Sequence, residues 1–435
     1  GVLPPPAAPF SPDPTAGAPQ IDIENTTFTN ETAAAIVDAA DHNAFSVDAA
    51  SRLLGKAPGD PALDVWAGPA PWLGIADIVY LNDVPQHGRF WQVRPAGDVP
   101  SARFGAGMCW DGASRRFVLY GGAAARGFDD TFTLDPSTFA WRVATDARLD
   151  LGTGRRLDVA MASSFPGKSC LLFGGQSGDA VDVVYADLYR FVVNPQTLEP
   201  EWHKLSPACT PRCPDARFGA SLSALDDHRY LLVGGRGAGG QFWGEWWIYD
   251  ADANTWTDRT VATAPMYVAE HAATTAGGAG VLIYGGQDQN GSARDTAFVF
   301  DKSLDDGTHS PWRPVAIGSA AAGPGARSLL GMAIVPRGGD RRDRYVAFGG
   351  SDGVNYGDTG AVLVADGLVA GNFEATTGPR PSARGHYAMA SSADLAKAAI
   401  ASESLAGTTV VLFGGDPGVG QSPLADTWVY VVSAP

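Results

Sequence analysis

Apolar runs of three to five residues recur along the chain, and each ends in two glycines. Phe117-Val-Leu-Tyr precedes Gly121-Gly122, Leu171-Leu-Phe precedes Gly174-Gly175, and Tyr230-Leu-Leu-Val precedes Gly234-Gly235. Val281-Leu-Ile-Tyr precedes Gly285-Gly286, Tyr345-Val-Ala-Phe precedes Gly349-Gly350, and Val410-Val-Leu-Phe precedes Gly414-Gly415. Runs this short, rich in β-branched and aromatic residues and closed by glycine, predict buried strands entering tight turns. The doublets return every 51 to 65 residues, the spacing of a propeller blade rather than of a helical repeat.

A second mark follows each doublet after roughly eight to twelve residues: an acidic residue that opens another strand. These openers are Asp130, Asp187, Glu245, Asp295, Asp358 and Asp426, and Asp77-Ile-Val-Tyr80 supplies the same element upstream. Ala67-Gly68 lies 54 residues before the first doublet, and Trp91 stands where later units have Trp141, Trp202, Trp256 and Trp312. Together these marks predict a degenerate N-terminal blade within residues 20–97, hence seven blades. Six is the alternative if the Ala-rich stretch 31–54 is a helix decorating the N-terminus. The six clear repeats occupy 98–435, and the last stops at its third strand. An N-terminal strand must therefore complete its sheet and satisfy its edge, and residues 20–28 are the expected strand of a seven-blade ring. Residues 1–19, rich in Pro and Ala without an apolar period, predict an extended arm.

Composition agrees with an all-β reading: 54 Gly and 31 Pro suit many short strands joined by turns. A net charge of −16 argues against nucleic acid or anionic lipid as the main partner. No run of 18 uncharged apolar residues exists, so no membrane insertion is expected. Cys209 and Cys213 in a proline-rich loop lack a zinc-ligand set and predict a disulfide, whereas Cys109 and Cys170 read equally as buried thiols or a second bridge. Asn25, Asn30 and Asn290 head glycosylation sequons. The start at Gly1 suits a mature chain after signal removal or a trimmed one. These features favour a secreted, extracellular protein.

The doublet, the aromatic strand after it and a tryptophan beyond, with Tyr249 and Trp256 showing the spacing best, resemble kelch repeats. Arg103-Phe-Gly105 and Arg217-Phe-Gly219 match the Arg-x-Gly that opens the first strand, and Arg384-Gly-His386 is a looser variant. The likeness is strong over 98–435 and weak over 20–97. It implies a β-propeller of four-stranded blades whose first strands line the channel. It implies no single activity, because such propellers include binding scaffolds, specifier proteins, mutarotases and copper-radical oxidases. The last would need two Tyr, two His and a Cys crosslinked to one Tyr, and no such pattern is present.

In such a meander the loops after the doublets and those before the first strands share one face. Arg103, Arg217, Arg327 and Arg384 start inner strands on that face. They read as structural partners of Asp130, Glu245 or Asp358, or else as a basic cup for a carboxylate or sulfate. His271, His386 and Glu270 lie near the same mouth, but two histidines are not a metal-ligand set, so no metal and no cofactor are expected. Asp250-Ala-Asp252-Ala-Asn254 reads as turn chemistry rather than a calcium loop. Trp243, in a glycine-rich loop, is an aromatic that could stack on a sugar or anchor a protein, local packing being the alternative. No GxSxG, HExxH or Walker loop is present, and no catalytic residue is assigned. The expected function is a binding or assembly module contacting protein or glycan through its loops and its N-terminal arm, in a larger assembly. The rival is an enzyme with a channel-mouth site acting on a small or sugar-like substrate.

Overall fold

Each apolar run before a doublet is the second strand of an antiparallel sheet. Arg116–Tyr120, Leu171–Phe173, Arg229–Val233, Gly280–Tyr284, Asp343–Phe348 and Thr409–Gly415 pair with inner strands Gly107–Asp111, Ala160–Ala162, Ser221–Ala224, Ala272–Ala276, Gly331–Val335 and Ala388–Ser391. A computed structural model describes residues 89–431. Within that span 145–153, 180–182, 194–198, 262–267, 278–279, 319–322, 336–341, 355, 358, 367–369, 377–379, 394 and 399–407 are not described. Residues 90–431 form one unit. No described helix is long and apolar enough to cross a membrane.

Among the described residues six blades form, and their inner strands lie side by side in a closed ring, Ala388–Ser391 beside Gly107–Asp111. Backbone hydrogen bonds make the closure explicit. The amides of Asp158, Gly219, Glu270, Leu329, His386 and Gly105 each donate to the carbonyl of the equivalent residue one blade earlier, at 2.7–3.1 Å, and the last bond, from Gly105 to His386, joins the first blade to the sixth. All six residues have φ between 55° and 66°, the left-handed region that points amide and carbonyl along the ring.

The doublets belong to a second such ring. The second glycine of each donates its amide to the residue that starts the next blade, as Gly122 does to Arg156 at 2.7 Å and Gly415 to Arg103 at 2.9 Å. A Cβ on Gly121 would lie 2.4 Å from the Arg156 carbonyl oxygen, so a side chain there would break the junction. Glycine recurs because two backbones touch at this point.

The sixth blade has strand order Arg89–Val93, Leu424–Val431, Thr409–Gly415, Ala388–Ser391. An N-terminal strand thus closes the ring, but it is Arg89–Val93 rather than residues 20–28. The inner strands of the first and sixth blades are already neighbours, so no seventh blade lies between them; the rest of the expected N-terminal blade, the 31–54 stretch and the 1–19 arm fall outside the described residues. Within the closing strand Phe90, not Trp91, takes the fourth-strand aromatic position. Phe90 is buried between Phe348 at 5.2 Å and Tyr430 at 5.0 Å, whereas Trp91 is only half-buried. Sequence spacing placed the larger ring there; the pleat turns it away by one residue.

At three junctions the chain reaches the new blade along an outer edge. Ala96–Gly97 runs parallel to Ala140–Val143, Ala208–Thr210 runs parallel to Thr255–Asp258, and the end of Trp312–Ile317 runs parallel to Ala370–Ala375. The axial channel is packed rather than open. Met108, Met161, Met332 and Met389 line it together with Ser163, Ser223, Thr274, Thr275 and Ser391, around a cavity of about 70 Å³ that has room for a few waters.

Candidate functional site

The left-handed ring places six side-chain positions around the axis on the face that carries the post-doublet loops. Gly105, Gly219 and Leu329 alternate there with Asp158, Glu270 and His386. Because Gly105 has no side chain, Asp158 and His386 meet across it, with Oδ1 3.0 Å from Nε2. Gln176 Nε2 donates to the other Asp158 oxygen at 2.7 Å, Arg236 donates to Glu270, and Tyr356 Oη donates to Asp416 at 3.0 Å. Phe104 stacks on the imidazole at 5.8 Å and Phe218 lies under Arg236 at 4.9 Å. The mouth is thus a compact charged cluster on aromatic flanks.

Electrostatics within it are strongly coupled. Burial opposes charge on His386, but Asp158, then Glu270 and Asp416, outweigh it and push the imidazole up to about 9. Burial alone would raise Asp158; His386, the Gln176 hydrogen bond and Arg236 hold it below the usual carboxylate range. Glu270 goes the other way, because its burial exceeds what Arg236 and His386 return. The imidazolium and Arg236 offer donors, and the Asp158, Glu270 and Asp416 carboxylates offer acceptors, so the mouth suits recognition of a mixed polar group.

The arginines singled out in the sequence take a structural part. Arg103 is buried and donates to both oxygens of Asp130, at 2.5 and 3.0 Å, and to the Gly121 carbonyl at 2.9 Å. Arg217 reaches Glu245 at 2.8 Å, and Arg384 reaches Asp426 at 2.5 and 2.9 Å. Arg327 pairs with Asp352 at 3.0 Å; Asp358 lies outside the described residues. These guanidiniums are held by carboxylates within their own blades and do not form a basic cup. Arg156, buried against Asp187 and over Tyr185, is a further member that the Arg-x-Gly pattern passed over, since Arg156-Leu-Asp158 has aspartate where glycine was sought.

Register corrects two more positions. In the fourth and fifth blades the residues opposite the doublet are Thr296 and Thr359, not Asp295 or Asp358, because Gly285 and Gly349 donate to the threonine carbonyls at 3.0 Å. His271 does not share the mouth position with His386. Glu270 does, and His271 points into the blade with Nε2 2.8 Å from Ser221 Oγ. Trp243 is half-buried over the Arg217 guanidinium at 5.4 Å, so the ring packs locally. The 250–254 segment is the turn between the third and fourth strands of its blade, with Asp250 accepting from the Asp252 and Ala253 amides.

Cys209 is bridged to Cys213, and Cys109 to Cys170, which ties the inner strand of the first blade to the second blade. Asn290 is exposed at the tip of a post-doublet loop; Asn25 and Asn30 lie outside the described residues. Among the described residues Asp226, Asp227 and His228 come close enough together for a metal, but the imidazole already contacts both carboxylates and the backbone of the hairpin turn occupies Asp226. Among the described residues the most exposed large apolar side chains are Val419 and Val354, at 103% and 84%, on the post-doublet loops of the sixth and fifth blades. No sequence pattern marked them, since isolated valines in polar loops carry no period.

Comparison with known proteins matches residues 74–261 and 159–398 to the KLHDC2/KLHL20/DRC7 Kelch-repeats domain. The Rab9 effector protein with kelch motifs of Xenopus laevis is 26% identical over 223 residues, 49% of this chain and 57% of that protein. The putative adagio-like protein 2 of Oryza sativa subsp. japonica is 30% identical over 172 residues, 36% of this chain and 26% of that protein. The matched stretch thus spans little more than half of the first relative and about a quarter of the second.

Proposed function

The chain belongs to the kelch-repeat family, and from that membership we propose that it is a protein-binding module whose contact surface is the loop face around the axial mouth. One observation carries this reading. Val354 and Val419 stand exposed on adjacent loops that Tyr356 and Asp416 tie together, beside the charged ring of Asp158, Glu270 and His386. Apolar anchors set among charged groups are the usual arrangement of a specific interface. The paired arginines hold the blades, which leaves recognition to the loops and the mouth. The name of the Xenopus protein describes an effector, which agrees with a binding role for this type of domain.

The finer features of the reading are an extracytoplasmic location, glycan as a second kind of partner, and a contact through the N-terminal arm within a larger assembly. Pairing of all four cysteines supports the location, because disulfides persist in oxidising compartments. The exposed Asn290 is available for a glycan. Affinity enrichment from the native source tests the surface. Partners recovered by the unaltered chain should fall by about tenfold or more with Val354→Glu/Val419→Glu. They should persist with Leu304→Glu, an exposed position on the opposite face. Equal recovery from the double variant would contradict the assignment.

A further inference from the structure

The junction between the fourth and fifth blades is less filled than the three on the other side of the ring, which show what fits it. At three other junctions an indole from the fourth strand of one blade packs on the aromatic residue before the doublet of the preceding blade. Trp141 meets Phe413 at 5.4 Å, Trp202 meets Tyr120 at 5.8 Å, and Trp256 meets Phe173 at 5.5 Å. Beneath two of these rings a buried threonine accepts the indole N–H, Thr427 from Trp141 at 3.2 Å and Thr131 from Trp202 at 2.9 Å. Between the fourth and fifth blades both partners shrink. Register puts Ala297 at the threonine position, and Phe373 stands in for the indole against Tyr284 at 5.3 Å. The fifth and sixth blades show the same loss, but there Gly360 lets Phe90 close in. Where Phe373 sits, a cleft of about 290 Å³ remains, walled by Tyr284, Phe298, Val315, Ile317 and Phe373. That exceeds the roughly 150 Å³ of an apolar cavity that admits benzene.

The rim of this cleft carries charge. In four other blades the carboxylate before the third strand is neutralised by the arginine that starts the inner strand. The fourth blade has Val268 in place of that arginine, and Asp295 lies one residue out of register. Asp295 lines the cleft, is exposed, and has no hydrogen-bond or ion-pair partner among the described residues. The nearby cations are engaged elsewhere, Arg294 with Asp288 at 2.6 Å and Arg327 with Asp352 at 3.0 Å.

We propose that this cleft binds an aromatic ring carrying a cationic nitrogen, with the ring in the space that Phe373 leaves unfilled beside it and the cation on Asp295. A free arylalkylamine and a tryptophan beside a basic residue in a partner chain share that chemistry. The site lies apart from Val354 and Val419, so it stands or falls independently of the loop-face reading.

Fluorine NMR and calorimetry with 5-fluorotryptamine on the full chain test it. A Kd on the order of 0.1–1 mM is expected for so small a ligand. Phe373→Trp should abolish binding by filling that space, and Asp295→Asn should weaken the amine several-fold while leaving uncharged 5-fluoroindole unchanged. If Phe373→Trp disturbs folding, Ala297→Leu fills the same space from the other wall. A capped Trp-Arg dipeptide binding more tightly than the amine would identify a partner chain as the source, and the reverse order a free amine. Absence of binding at several times that concentration, or binding insensitive to both Asp295→Asn and the filling variants, would overturn the proposal.

Discussion

His386 and His271 show how far residue-level chemistry depends on where the backbone turns. Both stand near the start of an inner strand and look alike in sequence. Yet the structure sets Glu270, not His271, beside the axis with His386. Burial without a counter-charge pushes His271 down to about 4, whereas His386, buried among Asp158, Glu270 and Asp416 with Arg236 nearby, is pushed up to about 9. The signs are opposite. A raised histidine contributes stability that is fully present below its unfolded value near 6.5 and lost as pH rises through about 9. A depressed one costs stability as pH falls from near 6.5 toward 4. The unfolding free energy should therefore peak near neutral pH and fall on both sides by an amount on the order of 1–3 kcal/mol. His386→Gln should flatten the alkaline limb and, by taking the partner from Asp158, also weaken the carboxylate's contribution at the acid end, whereas His271→Asn should flatten the acid limb and leave the alkaline limb unchanged. A profile that neither variant alters would refute these assignments.

Elements were legible where a local pattern and a backbone contact coincide. The doublets could be read because two glycines are needed where one blade touches the next, and every apolar run before them became a second strand. The closing strand was legible as a necessity but not as a place. Arg89–Val93 has only one clear inward aromatic, and Trp91 masked it by matching the tryptophan spacing of other blades. The openers at Asp295 and Asp358 misled for a related reason, since a one-residue shift in loop length is invisible in composition yet moves Thr296 and Thr359 into register. The strand assignment predicts an order of effects. Phe90→Ala should cost about 3–5 kcal/mol in urea denaturation, the range for a buried aromatic, and Trp91→Ala clearly less. The opposite order would put Trp91 in the core and undo the closure described here.

At the largest scale, the six blades of the described residues share two circles of backbone hydrogen bonds, and the mouth cluster and its loops hang from them. The mouth cluster exists because alternate residues of the inner circle carry Asp158, Glu270 and His386. The paired loops of Val354 and Val419 meet because the fifth and sixth blades are held side by side. The sequence shows the propeller plainly but conceals this face, whose members are scattered over 158–419 and belong to no motif. All of it requires that the ring close between the first and sixth blades. Amide hydrogen exchange of Gly105, Asp158, Gly219, Glu270, Leu329 and His386 tests that directly. Closure on six predicts that all six amides are protected like those of the inner strands and lose protection together when residues 1–95 are removed. Rapid exchange at Gly105 in the intact chain, with the other five protected, would show a ring left open or a further blade inserted there, and would contradict the account.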